Sequence, residues 1–194
     1  MLSSRSEPEV TDCCTEAFVL LSLNRKNQRE IAYSGVAAHF PKILGGANVS
    51  SVSRAYCLLM IGNLLSAGFF RDKMGHPDTV TTILNMLDPS VPRQFVAVAY
   101  CLSQIAGTQA VAVIVQCGAI QRMTLLLNVV EETQKKIRGN PFLYETLEET
   151  SPLAVLKEGL AYVWGLLTNL LNIPEYYRFA HDYSFYDCLQ VIIV

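Results

Sequence analysis

The sequence predicts an all-α chain built as a helical repeat array, and three observations carry that expectation. The first is a recurring apolar segment: Leu20-Leu-Ser-Leu23, Ile61-Gly-Asn-Leu64, Leu102-Ser-Gln-Ile105 and Leu167-Thr-Asn-Leu170. Leu23, Leu64 and Ile105 stand 41 residues apart, and Leu170 follows after 65, one period plus 24 residues. Fixed-period self-similarity on this scale is the mark of stacked supersecondary units. The second is a glycine that follows each segment: Gly35, Gly75 and Gly118 come 12, 11 and 13 residues later, with Asp182 at 12 in the last unit. The third is the absence of strand signals, since neither strict alternation nor an Asn-Gly hairpin pair occurs.

The elements follow in order. Residues 1–10 form a polar lead-in expected to be disordered, and residues 11–26 a partial unit inside a long helix. Repeats then cover about 27–66, 68–106 and 108–172, with a second partial unit over 173–194. Each unit reads as three helices. A short one runs into the glycine, as in Gln28 to Gly35, and the glycine suits a helix end because the left-handed conformation costs it least. A second short helix follows at 36–44, 80–87, 119–127 and 185–194. Turn-forming clusters close it, Gly45-Gly46-Ala-Asn48 and Asp88-Pro-Ser-Val-Pro92. The long helix then carries apolar residues at i, i+3, i+4 and i+7: Val52, Ala55, Leu58, Leu59, Gly62, Leu65 in one unit and Phe95, Val98, Ala99, Leu102, Ile105, Ala106 in the next.

The extra residues of the third repeat form an insertion at 128–151. Its first part extends the preceding helix, with Glu131 and Glu132 four residues ahead of Lys135 and Lys136, the favourable order for helix-surface ion pairs. Gly139-Asn140-Pro141 breaks that helix. Phe142, Leu143, Tyr144 and Leu147 then give an apolar edge that folds back on the surface or projects as a partner-contacting arm.

Composition excludes several classes of function. Half of the chain is apolar (51%), only 16% is charged, and the net charge is −2, so neither nucleic acid nor an anionic membrane is a natural partner. Met1 to Glu9 has no apolar signal core, and no apolar run reaches the length of a membrane span. Cysteines at 13, 14, 57, 101, 117 and 188 include no CxxC pair and sit in no Cys/His cluster. Cys57 and Cys101 lie in apolar helical stretches, a pattern of small hydrophobes in a reducing compartment. His39, His76 and His181 are far apart, and no nucleophile elbow, P-loop or dinucleotide fingerprint occurs. The expectation is therefore a chain without catalytic activity, bound metal or cofactor.

Cys117-Gly-Ala-Ile120 ahead of Met123-Thr-Leu-Leu-Leu127, and the similar Ser34-Gly-Val-Ala37, resemble the armadillo repeat: three helices in about forty residues, an apolar-x-Asn-Leu motif late in the long helix and a Gly-Ala-Ile-like start to the following one. The resemblance covers roughly residues 11–194 apart from the insertion and implies a right-handed solenoid; a HEAT-like superhelix of two-helix units is the alternative. In armadillo proteins that bind extended peptides the long helices line a groove, where an Asn bonds the peptide backbone and an aromatic four residues earlier walls a pocket. Carried over, the Asn position holds Ser22, Asn63, Gln104 and Asn169, and the position four earlier holds Phe18, Leu59, Tyr100 and Gly165. Tyr56, Tyr100 and Tyr162 add aromatic anchors, while Trp164 falls five before Asn169, one off the family position, and reads as core.

Because only Asn63 and Asn169 keep the Asn, the Trp-Asn ladder of nuclear-signal receptors is absent. The resemblance then implies a protein-binding scaffold in the cytoplasm, with the nucleus and the cytoskeleton as further settings. The alternatives are a structural subunit of a cytoskeletal or axonemal assembly and a transport-receptor-like reader of linear signals. The apolar close Val191-Ile-Ile-Val194 is expected to self-associate or to meet further repeats.

Overall fold

The computed structural model describes residues 8–107, 110–123, 125–126 and 152–174. Among these every regular element is helical, so the chain is all-α as expected. The insertion at 128–151, most of the partial unit 173–194 with Asp182, and the apolar close at 191–194 lie outside the described residues.

In chain order the elements are α1 (Pro8–Ser22), α2 (Arg25–Tyr33), a 3-10 turn (Val36–His39), α3 (Phe40–Gly45), α4 (Ser51–Ser66), α5 (Arg71–Met74), α6 (Pro77–Asn85), α7 (Pro92–Ala106) and α8 (Val111–Gln116). Residues 119–123 and 125–126 are helical, and a last long helix, α9, spans Pro152–Leu171. Two boundaries differ from expectation. Helix α1 begins at Pro8, inside the expected lead-in, because proline is tolerated at the first helical position where its missing N–H has no partner to lose. Helix α2 begins at Arg25, two residues before the expected start of the first repeat, because Asn24 caps it by accepting a hydrogen bond from the Lys26 N–H at 3.0 Å.

The four long helices pack in sequence order, α1 on α4, α4 on α7 and α7 on α9. The shorter ones form a second layer in which α3 meets α6 and α6 meets α8. Between the layers lies one continuous core: Phe40, Leu58, Ile61, Leu64, Ile83, Phe95, Leu102 and Ile105 are each about 1% exposed or less. Of the recurring residues of the apolar segment, Leu64, Ile105 and Leu170 are buried where the period placed them, whereas Leu23, just past the end of α1 with no earlier long helix among the described residues to cover it, is 69% exposed. Among the described residues, eight side-chain hydrogen bonds join positions 37 to 41 residues apart. One example closes an outer-layer helix: Arg122 donates to the Leu84 carbonyl at 3.2 Å and to Asn85 Oδ1 at the end of α6.

Local chemistry sets each junction. Ser50 caps α4 by accepting the Ser53 N–H at 2.9 Å, and the Asp12 carboxylate accepts from both the Ser50 and Ser53 hydroxyls. An acid beside a helix N-terminus also meets the positive end of its dipole, so this cluster ties α1 to the start of α4 twice over. Gly35 and Gly118 adopt the left-handed conformation expected of them (φ 81° and 82°). Gly75 does not: its φ is −77°. It is required for space instead, since a β-carbon there would fall 2.7 Å from that of Ala110. Two further glycines admit aromatic rings between long helices, Gly62 against Tyr100 and Gly159 against Phe95.

Candidate functional site

The nine residues expected to line a groove all stand on the long helices: Phe18 and Ser22 on α1, Tyr56, Leu59 and Asn63 on α4, Tyr100 and Gln104 on α7, Tyr162 and Asn169 on α9. Phe18, Leu59 and Tyr100 recur every 41 residues, and serial stacking of α1, α4 and α7 aligns them across the helices. Tyr162 continues the row, its ring meeting Tyr100 edge-on with centroids 5.1 Å apart. All four are only partly buried.

The polar row behaves differently along its length. Ser22 is fully buried and donates to the Val19 carbonyl at 2.6 Å within its own helix. Asn63 Nδ2 donates to Ser22 Oγ at 2.9 Å, and Asn63 Oδ1 accepts from the Tyr100 hydroxyl at 2.9 Å. Both ends of this amide are thus engaged by neighbouring helices, and a carboxamide is well suited to that because it offers a donor and an acceptor together. Ser22, Asn63 and Tyr100 form a hydrogen-bonded ladder across three helices. Gln104 and Asn169 are partly buried and, among the described residues, their side chains make no such bond. The structure therefore separates two groups that the sequence placed in one row: Ser22 and Asn63 face inward to each other, and Gln104 and Asn169 have no hydrogen-bond partner for their amides among the described residues.

The phenols report their surroundings. Burial pushes the Tyr100 hydroxyl above its ordinary 10.0, the nearby Ser66 hydroxyl offsetting part of the rise and Tyr162 and Cys101 adding to it. Tyr56 is pushed up by burial first and then by the Glu16 carboxylate, both through its charge and through a hydrogen bond. Trp164, expected in the core, is only partly buried. Its position on α9 between the buried Val163 and the exposed Gly165 turns it to the edge of the helix interface.

Cys57 and Cys101 are fully buried, as their apolar setting predicts. Burial pushes the Cys101 thiol up to about 12, and the Cys57 thiol rises further, with burial as the main cause and the neighbouring Cys101 as the second. Cys13, Cys14 and Cys117 are free thiols outside the core. Among the described residues no three His, Cys, Asp or Glu side chains gather as metal ligands, and no helix is long and apolar enough to cross a membrane.

One feature had no signal in the repeat pattern. A cleft of about 560 Å³ opens between the 3-10 turn and α3 on one side and α5 and α6 on the other, with Phe40, Leu44, Phe70 and Met74 among its walls. It shares no residue with the aromatic row on the long helices. Only the paired aromatics Phe69-Phe70 directly after Gly68 hinted at it in the sequence, and they lie between the periodic segments.

No family model matches the chain, and no curated protein or solved structure matches it.

Proposed function

We propose that this chain is an armadillo-type right-handed array and that it works as a non-catalytic protein-binding scaffold. Support for the repeat type comes from the three-helix unit. A short helix (α2, α5, α8) precedes Gly35, Gly75 and Gly118 in turn, and a HEAT-like two-helix unit has no place for it. Hydrogen bonds that span 37 to 41 residues keep neighbouring units in one register.

The observation that carries the function is the partly buried row Phe18, Leu59, Tyr100 and Tyr162, which crosses all four long helices. Aromatic side chains that are half-covered in the free protein are the kind of anchor that dominates binding energy at interfaces. Because Asn63 is engaged by Ser22 and Tyr100, a bound segment meets instead the amides of Gln104 and Asn169, on the α7–α9 half, which have no partner among the described residues. No catalytic step enters this reading: the two core thiols are held protonated, which is the wrong state for a nucleophile. Unpaired thiols in the core suit a reducing compartment, and the proposal places the chain in the cytoplasm.

Recovery of binders on the immobilised chain, identification by mass spectrometry and affinity measurement test the proposal. Gln104→Arg combined with Asn169→Arg is expected to weaken the recovered partner at least about ten-fold, roughly 1.4 kcal/mol, with the melting temperature unchanged. Equal affinity for both proteins would place the contact elsewhere and refute the groove.

A further inference from the structure

The cleft between α3 and α6 is built from a second set of residues. Its floor and walls are apolar and small: Ala37, Ala38 and Pro41 on one side, Met74 on the other, with Phe40 and Phe70 meeting edge-on at 6.1 Å between ring centroids. At about 560 Å³ it lies in the range of cavities that take whole small molecules, with ample room for one bulky apolar side chain.

Three observations say what would enter it. Phe70 holds φ 61°, and it is the only non-glycine residue with positive φ among those described. A bulky side chain rarely adopts that conformation, and backbone strain of this kind concentrates at ligand clamps. The strained backbone sets the Phe70 ring as a wall of the cleft. Next, Lys73 lines the cleft with its Nζ 6.0 Å from the centre of that ring, while the one acid in the lining, Asp78, has His76 Nδ1 3.7 Å away. Finally, the charge is uneven along the chain: residues 25–45 and 71–85, which hold α2, the 3-10 turn, α3, α5 and α6 around the cleft, carry six Lys and Arg against three Asp and Glu, although the whole chain is at −2. The segment that encloses the cleft is thus cationic within an acidic protein, which selects acidic partners.

We propose that this cleft is a docking site for an acidic partner segment that seats one aromatic or large aliphatic side chain in the cleft, against the Phe40–Phe70 pair, and sets a carboxylate on Lys73. The Thr79 hydroxyl in the lining is placed to bond the segment's backbone, whereas that of Thr82 already donates to the Asp78 carbonyl at 2.8 Å. The site does not depend on the aromatic row of the long helices, so either can fail without the other.

A phage-displayed library of random twelve-residue peptides, selected on the purified full chain and counter-selected on Ala38→Trp, tests it. Ala38 is exposed at the cleft, so its replacement fills the space from the surface without removing any core side chain. The expected result is a family of peptides with one bulky apolar residue flanked by Asp or Glu. Those peptides, made synthetically, should bind Lys73→Glu at least ten-fold more weakly and lose affinity as salt rises. Phe70→Gly should relieve the backbone and keep the fold, yet abolish their binding. No selected peptide, peptides without acidic residues, or peptides that bind Lys73→Glu and Phe70→Gly as well as the parent would each overturn the proposal.

Discussion

Asn63 shows what a single residue type can and cannot announce. Its place in an apolar-x-Asn-Leu segment was legible in the sequence, but its partners were not, because they sit 41 residues before it and 37 after it. The same carboxamide would serve a bound peptide or its own neighbours equally well. The structure gives both of its ends to Ser22 and Tyr100, so Asn63→Ala should destabilise the fold by about 1–3 kcal/mol for two lost bonds. Asn169→Ala, which breaks no bond among the described residues, should stay within about 0.5 kcal/mol. Urea denaturation of the two variants makes the comparison, and equal midpoints would mean that the Ser22–Asn63–Tyr100 ladder does not form in solution. The glycines carry a similar lesson. Gly35 and Gly118 were readable as left-handed helix ends, whereas Gly75 is needed for the close approach of Ala110, a contact that no local pattern reveals.

At the scale of elements, the long helices were the easiest to read, since each carries an apolar face at helical spacing and begins or ends at a proline, a cap or a glycine. The one-turn α5 and the split of the second helix into a 3-10 turn and α3 were not, being too short for periodicity to register. The interfaces between long helices lead to two expectations. Replacing Leu64 or Ile105 by Ala should cost about 2–5 kcal/mol, as for other buried large-to-small changes, against about 0.5 kcal/mol or less for Lys26→Ala on the exposed part of α2. Gly159→Ala is a sharper test. In a free helix Ala is better than Gly by up to about 1 kcal/mol. Here the new methyl would strike the Phe95 ring, which is fully buried and has nowhere to move, so net destabilisation of about 1–3 kcal/mol is expected. Gly62→Ala should cost less, because Tyr100 is only partly buried and can swing outward at the expense of its bond to Asn63. A thermal melt of either variant at or above the parent would argue that these helices do not meet at their glycines.

For the whole molecule, the period of 41 was the most informative thing in the sequence, because stacked units repeat their contacts as well as their residues. The cleft beside Phe70 left no mark on the period for the same reason in reverse: it belongs to one junction, between the 3-10 turn and α3 on one side and α5 and α6 on the other. The core as a unit also makes the fold sensitive to alkali. The Cys101 thiol is raised by burial from 9.0 to about 12, so between those values the unfolded chain releases its proton while the folded one keeps it. Stability from this group is full below pH 9 and falls as pH rises toward 12; Cys101→Ala should make that part of the urea-midpoint profile less steep, with Cys57, raised by the same cause, retaining the remainder of the slope. The most direct test of the account concerns the register of the stack itself. Nuclear Overhauser spectra of the chain labelled at Gly, Phe and Tyr should show cross-peaks from the Gly62 α-protons to the Tyr100 ring and from the Gly159 α-protons to the Phe95 ring, with those glycine protons shifted by the ring currents. Absence of both cross-peaks, with glycine shifts at their ordinary values, would contradict the stacked array and the binding face that depends on it.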